Sequence, residues 1–310
     1  MNYFDAHCDT AFEMYKKKEP LFQNSLHISL EAARNFDKYI QIMAIWSQND
    51  LSAGEGWAQF GAIAENLRAE TAKSEQARIC LGSGEINAAL DENKRAFLLA
   101  VEGANILDAK IWRMDELYEA GVRFLTLVWK GEGCIGGAYD TEEGLTAFGR
   151  RVVKTAFEKG MITDVSHGSG KLTDEVLALA EEAGKPIVAT HSNSFSVCAH
   201  PRNLTDERAK RIAALGGFAG ISFAPPHLNE SGTADTDDIL RHISHYLDIG
   251  MENSLCMGCD FDGVSALPAG ISGIGDNEKL AAAVEKEFSA DIAEKIFFGN
   301  AMNFVKKFLP

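Results

Sequence analysis

Positive charge is scarce in this chain. Its 30 lysines and arginines face 45 aspartates and glutamates, a formal net charge of −15 at neutral pH. The one compact basic run is Lys16–Lys18, read as solvated surface, so no nucleic-acid partner is expected. Cysteine is thin as well: six residues scattered over 310 cannot make a disulfide scaffold. Long apolar runs are missing, and none reaches the roughly 18 residues of a bilayer span, so no membrane partner is expected. Met1 leads directly into a candidate strand without a basic segment or an apolar leader, which sets the expected location as cytoplasmic. Neither G-x-G-x-x-G after the first strand nor G-x-x-x-x-G-K-[ST] occurs, which removes the commonest reasons for an open nucleotide-binding sheet.

What is present is a regular alternation. Short apolar runs recur at Tyr3–Asp9, Tyr39–Trp46, Ala96–Glu102, Arg123–Trp129, Met161–His167, Pro186–His191, Gly217–Phe223 and Leu255–Asp260. Between them lie stretches of helical periodicity, among them Trp57–Glu75, Thr146–Glu158, Leu172–Ala183 and Asp235–Asp248. Glycine follows several of these stretches, as expected past a helix end ("EAGVRF", "EKGMIT", "EAGKPIV", "LGGFAG"). "LTDE" at Leu172–Glu175 and at Leu204–Glu207 fits a threonine N-cap followed by acidic first-turn residues. Eight strands alternating with helices predict an α/β fold, a (β/α)8 TIM barrel of metal-dependent hydrolase type. One catalytic domain is expected over residues 1–310, with Gln48–Asp91 an elaborated connection and Gly263–Asn277 a long glycine-rich loop.

The strand ends carry the chemistry. Strand one ends in His7 and Asp9, which share a face while Cys8 turns away. Strand three ends in Glu102, strand five in His167, strand six in His191, and strand eight in Asp260 and Asp262. In such barrels the C-terminal strand ends form the active site. An ionisable residue closing an apolar strand is costly unless something pairs with it, and a shared cation would do so. His and carboxylate donors without thiolate suit Zn²⁺, or alternatively Mn²⁺, Co²⁺ or Fe²⁺. Five ligands exceed one open tetrahedral site, so two cations are expected, with Glu102 as bridge. His7 and Asp9 would hold one, His167 and His191 the other. A water between them would have its pKa lowered towards roughly 7, with Asp260 as general base.

Each residue also has a plainer reading. A single strand-end histidine is usually a hydrogen-bonded loop residue, Glu102 could cap the following helix, and "DFDG" could be only a turn. The shared placement of all of them favours the metal. His27, His200, His227, His242 and His245 lack that placement and read as surface or packing residues, with His200 and His227 near the pocket rim. "CMGC" at Cys256–Cys259 lies in an apparent strand and reads as two core thiols, with redox or zinc-clip use as the alternative.

The stretches "DAHCDT", "VEG", "GVRFLTLVW", "GLTAFGRRVVKTAFEKGMITDVSH", "ATHSNSFSVCAHPRNLTDE", "GCDFDG" and "GNAMNFVKKF" resemble the membrane (renal-type) dipeptidase family, metallopeptidase family M19, among the amidohydrolase-like barrels. The resemblance runs nearly the full chain. It implies a zinc-dependent dipeptidase with two zinc ions, held by His7, Asp9 and Glu102 and by Glu102, His167 and His191. It implies that Arg202 binds the substrate's terminal carboxylate, which suits a bidentate guanidinium, and that Asp260 handles the nucleophilic water and the substrate amine. Free dipeptides would be the substrates, with a D-residue tolerated at the C-terminal position, and a homodimer is possible. Two departures bear on specificity. Mammalian members end strand four in histidine and bacterial relatives tend to have tryptophan followed by asparagine; this chain has Trp129, a candidate substrate contact, followed by Lys130. Ala224 stands where an aromatic residue is common. The alternatives are an amidohydrolase with a carboxylated Lys130 acting on a cyclic amide, lactone or other ester, and a non-catalytic metal-binding homologue.

Overall fold

The structure, a computed structural model, describes residues 1–48 and 51–309; Asn49 and Asp50 of the Gln48–Asp91 connection and Pro310 lie outside the described residues. Among the described residues there are nine strands: β1 (Asn2–Cys8), β2 (Lys38–Trp46), β3 (Ala77–Ile79), β4 (Arg95–Glu102), β5 (Val122–Thr126), β6 (Ile162–Asp164), β7 (Ile187–Val188), β8 (Ala219–Ile221) and β9 (Leu255–Met257). The helices that matter for the site are α1 (Thr10–Lys17), α2 (Ala53–Lys73), α3 (Ala147–Lys159), α4 (Gly170–Ala183), α5 (Asp206–Ala214), α6 (Thr236–Asp248) and α7 (Asn300–Phe308). Eight strands follow one another round the expected barrel, running β1, β2, β4, β5, β6, β7, and β8, β9 back to β1. The seam between β7 and β8 is joined by an Ala189–Ala219 bridge, with Ala189 N–H donating to Phe218 and Gly220 N–H to Ala189. β3 is the strand that periodicity missed. Three residues are too few to show alternation, and it pairs only with the start of β4, below where β5 begins.

The helices start where their caps place them. Ser52 and Glu55 form a capping box, so α2 begins ahead of the expected Trp57. Thr205 caps α5 as expected. Thr173 does not cap α4: Ser169 accepts from Leu172 N–H at 3.0 Å, and Thr173 falls inside the helix. Gly160 and Gly184 end α3 and α4 in the left-handed conformation, as their position after each helix suggests.

Two apolar clusters hold the layers together. One lies inside the barrel: Phe4, Ile40, Ile42, Leu98, Phe124, Val188 and Phe218 pack with Phe304 and Val305 of α7, which stoppers the end away from the site. The other fills the space between the outer strand faces and the surrounding helices. Ala96, Leu98 and Ala100 belong to the inner cluster, and Glu102 continues their parity into the barrel mouth. On β1 the same parity would turn His7 outward. The register slips by one residue between Asp5 and Cys8, a β-bulge that turns His7 inward with Asp9 and leaves Cys8 in the outer cluster. Among the described residues, no helix is long and apolar enough to cross a membrane.

The closed seam depends on a bare backbone. A Cβ on Gly220 or Gly258 would run into the Thr190 carbonyl. Gly61, in the middle of α2, meets nothing within 4 Å. Gly220→Ala should therefore destabilise by about 3 kcal/mol, whereas Gly61→Ala should stabilise by about 0.5–1 kcal/mol. Thermal unfolding of the two variants checks this, and an unchanged midpoint for Gly220→Ala would contradict the close approach.

Candidate metal centre and active site

The site residues stand at the strand ends, but several lie further out than the apolar runs suggest. β5, β6, β7 and β9 each stop three residues short of Trp129, His167, His191 and Asp260 respectively. His167 and Asp260 have φ of +68° and +62°. No ladder accommodates that conformation, and its cost of about 1–3 kcal/mol persists only where the surroundings impose it. Asp260 N–H donates to the His7 carbonyl at 3.2 Å and Asp9 N–H to Phe261 at 2.9 Å, so the β9 loop is laced to the end of β1.

The structure brings His7, Asp9, Glu102, His167, His191 and Asp260 together, all but His167 essentially buried. Glu102 divides its carboxylate. Its Oε1 lies 2.9 Å from His167 Nε2 and 3.4 Å from His191 Nε2, and its Oε2 lies 3.6 Å from His7 Nε2. His7 Nε2 is also 3.9 Å from Asp9 Oδ2 and 4.0 Å from Asp260 Oδ1. In His7–Glu102–His191 and in His7–Asp9–Asp260 three ligand atoms lie within 4.8 Å of one another, so ligand atoms from both halves converge around His7 as well as around Glu102.

The hydrogen-bond inventory shows what the donor set is suited to. His167 Nδ1 lies 2.9 Å from the Trp129 carbonyl, which can only accept, so the proton sits on Nδ1 and Nε2 carries the lone pair. His191 Nδ1 lies 2.9 Å from the Thr190 hydroxyl. The two Nε2 atoms face each other at 2.9 Å beside Glu102 Oε1, three lone pairs with one point in common. On the other side His7 Nε2, Asp9 Oδ1 and Glu102 Oε2 are buried without a partner. Asp9 holds the N-cap position of α1 yet makes no side-chain cap bond. Glu102 caps no helix either. Polar atoms left bare in this way cost about 1–3 kcal/mol each. Three nitrogens and three carboxylates fit divalent cations of the zinc type on both sides of Glu102.

Electrostatics agrees. Burial works to raise Glu102, but the charge on His7 and the neighbouring His167 and His191 imidazoles hold it well below the usual carboxylate range. Burial depresses His7, yet Glu102, Asp9 and Asp260 outweigh it and hold its pKa up, at about 10. Burial, then Arg202, pushes His167 down to about 4, and burial, then His7, pushes His191 well below the imidazole range. Asp9 is raised by burial and by Glu102. Burial raises Asp260 to about 7, with Glu102 adding and His7 opposing. One imidazolium thus stands among three carboxylates where cations would stand.

The remaining residues sort by place. Arg202 is 5% exposed, donates one long bond of 3.4 Å to the His191 carbonyl and lies 5.7 Å from the Tyr139 ring centre. It does not pair with Asp206, which binds His245 and Ser196. Trp129 packs against Trp46 and His167. Exposed Lys130 and Trp129 line a cavity of about 370 Å³ that reaches Glu102, with Ile106, Asp108 and Leu51. Asp262 is outside the cluster: it accepts from the Thr10 hydroxyl and from His27 N–H, so the β9 loop contributes Asp260 alone. His200 and His227 stack with ring centres 4.5 Å apart near Arg202, and His242 is a core residue bonded to Ser194 and Leu228. Cys256 and Cys259 are buried and unbridged. Sequence reasoning missed Asp164, Thr190 and Gly263. A fully buried aspartate in a short apolar strand was the available signal for Asp164.

A family model described as membrane dipeptidase (peptidase family M19) matches residues 1–308. An uncharacterized protein in the pqqA 5′ region of Klebsiella pneumoniae is 34% identical over 221 residues, 67% of this chain and 79% of that protein. An uncharacterized protein in the PQQ-III 3′ region of Acinetobacter calcoaceticus is 34% identical over 187 residues, 56% of this chain but only 58% of that protein. Among solved structures, dipeptidase AC, a metallo peptidase of family M19, superposes with a TM-score of 0.92 at 24% identity over 100% of this chain and 99% of that one. A metallo peptidase from Rhodobacter sphaeroides, liganded with a phosphinate mimic of the dipeptide L-Ala-D-Ala, superposes equally well, with TM-score 0.92 at 24% identity over 99% of both chains.

Two outcomes follow from the geometry. A Cβ on Gly263 would strike the carboxylates of both Asp9 and Asp260. Equilibrium dialysis of chelator-stripped Gly263→Ala against Zn²⁺ should therefore show reduced uptake with an unchanged circular dichroism spectrum; full uptake would mean the two carboxylates are free to move. His7, with its pKa at about 10, keeps a proton at pH 8 that a cation on Nε2 must expel. Affinity should then rise with pH, and calorimetry in buffers of different ionisation enthalpy should detect proton release on binding. Uptake without proton release would show that His7 is not a ligand.

Proposed function

The chain belongs to the membrane dipeptidase family, peptidase family M19, and from that premise we propose that it is a dinuclear zinc dipeptidase acting on free L-L and L-D dipeptides. The observation that carries this reading is the division of Glu102, one oxygen towards His167 and His191, the other towards His7. His7, Asp9 and Glu102 would hold one ion, and Glu102, His167 and His191 the second. Bound there, the pair would supply Lewis acidity to the scissile carbonyl and to a water.

The protein's own groups do the rest. Arg202 has the charge and burial to grip a carboxylate, and its guanidinium is only weakly engaged. Burial, only partly offset by Asp260, Glu102 and Asp164, lowers its basicity, so an incoming anion relieves an unfavourable environment. Seating the terminal carboxylate on Arg202 places the scissile bond next to the C-terminal residue. Asp260 acts as general base and then returns the proton to the leaving amine. Its pKa of about 7 applies to the cation-free site, and cations nearby would lower it again. The cavity bounded by Trp129, Ile106 and Lys130 offers room for a substrate side chain. The Rhodobacter sphaeroides protein of the same fold is liganded with a phosphinate mimic of the dipeptide L-Ala-D-Ala, which is in keeping with a dipeptide substrate here.

The direct test is turnover of a panel of L-L, L-D and N-acetylated dipeptides by zinc-loaded protein, with and without chelator. Free dipeptides should be cleaved, chelator should abolish cleavage, and acetylated substrates should be spared. Chelator-resistant turnover, or none with any member, would overturn the assignment and direct attention to lactones and cyclic amides. Arg202→Met should lower kcat/KM about 100-fold for a free dipeptide, the order expected for a lost charge-assisted pair. The same variant should lose little for a C-terminal amide. Equal losses on both substrates would remove Arg202 from the carboxylate subsite.

A further inference from the structure

Thr190 precedes His191 and is 1% exposed. Its hydroxyl lies 2.6 Å from Asp164 Oδ2, 2.9 Å from His191 Nδ1 and 3.3 Å from His7 Nδ1. A hydroxyl has one proton to donate and two lone pairs to accept with. A carboxylate can only accept, so the proton goes to Asp164. Both lone pairs then remain for the two imidazoles, so each ring must present N–H at Nδ1, which leaves Nε2 as the atom open to a cation. Ser166 Oγ, at 3.4 Å, is a longer fourth neighbour.

We propose that the Thr190 hydroxyl, anchored on Asp164, is a positioning group that sets the tautomer of His7 and His191 together and so couples the two halves of the metal centre. This rests on the dinuclear reading above. One ring belongs to each half, so neither can turn without releasing the group that orients the other. The anchor is rigid. Asp164 also accepts from the Thr126 hydroxyl at 2.6 Å, Ser166 N–H at 2.9 Å and Thr190 N–H at 3.0 Å, so four donors fix it. The Thr190 main chain is fixed as well, because its carbonyl is pressed against the Cα positions of Gly220 and Gly258. His167 is oriented separately by the Trp129 carbonyl. Partners behind a metal-bound histidine typically contribute 10–100-fold in affinity; here a single group stands behind two of the three.

The test is zinc binding, read without turnover. Chelator-stripped full-length protein is titrated with Zn²⁺ against a chromophoric competitor, for the wild type and Thr190→Val, Thr190→Ser and Thr126→Val. Thr190→Val should weaken both binding steps, each by about 10–100-fold, and Thr190→Ser should keep both near wild type. Thr126→Val removes a donor from the same aspartate without touching an imidazole, and should leave both steps unchanged. In the zinc-loaded wild type, ¹⁵N spectra of the histidines should show protonated Nδ1 and metal on Nε2 for both rings, a readout that stands even if Thr190→Val does not fold. The proposal is overturned if Thr190→Val binds two ions as tightly as Thr190→Ser, if only one step weakens, if Thr126→Val weakens binding as much, or if either ring binds through Nδ1. A wild type that takes up fewer than two zinc ions overturns the dinuclear reading itself.

Discussion

Three carboxylates share one water-poor barrel mouth, and the rest of the structure is arranged around that repulsion. Glu102, Asp9 and Asp260 are all nearly buried and close to one another. Removing an ionised carboxylate from water costs several kcal/mol even after relaxation, and like charges add to it. In the cation-free protein a single imidazolium, His7, offsets them, which is why its basicity rises while the other two imidazoles are held neutral. A site under that tension has a strong preference for divalent cations, because they relieve desolvation and repulsion together.

The barrel makes the tension sustainable. Its strands converge their ends on one rim, and the inner apolar cluster with α7 keeps water out from the opposite end. Within that frame local irregularities do the aiming. A bulge in β1 turns His7 inward, and left-handed residues at His167 and Asp260 bring their side chains back over the mouth. Gly263 leaves room for Asp9 and Asp260 to approach. Each irregularity carries a cost that the regular elements around it can bear.

Behind the candidate ligands lies a layer of fully used hydrogen bonds. Asp164 receives four donors, Thr190 joins two imidazoles to it, and the Trp129 carbonyl holds the third. The contribution of Trp129 here is its main chain, to which the identity of its side chain is indifferent. The ring and the neighbouring Lys130 face the cavity beside Glu102.

The sequence by itself determined the class of fold and the candidate ligands, because both are periodic or terminal features. Apolar runs mark strands, helical periods mark the connections, and His7, Asp9, Glu102, His167, His191 and Asp260 each close an apolar run. Only the tertiary structure decided which strand-end groups meet. Asp262 looked equivalent to Asp260, yet a turn sends it to Thr10 and His27. Thr173 and Thr205 looked alike as caps, but the earlier Ser169 satisfies the first turn of α4. β3 is visible only through its partner β4. Asp164 and Thr190 carry no motif of their own, since a buried hydrogen-bond network is defined by which atoms lie within about 3 Å of one another, and residues far apart in the chain meet only once the barrel has closed.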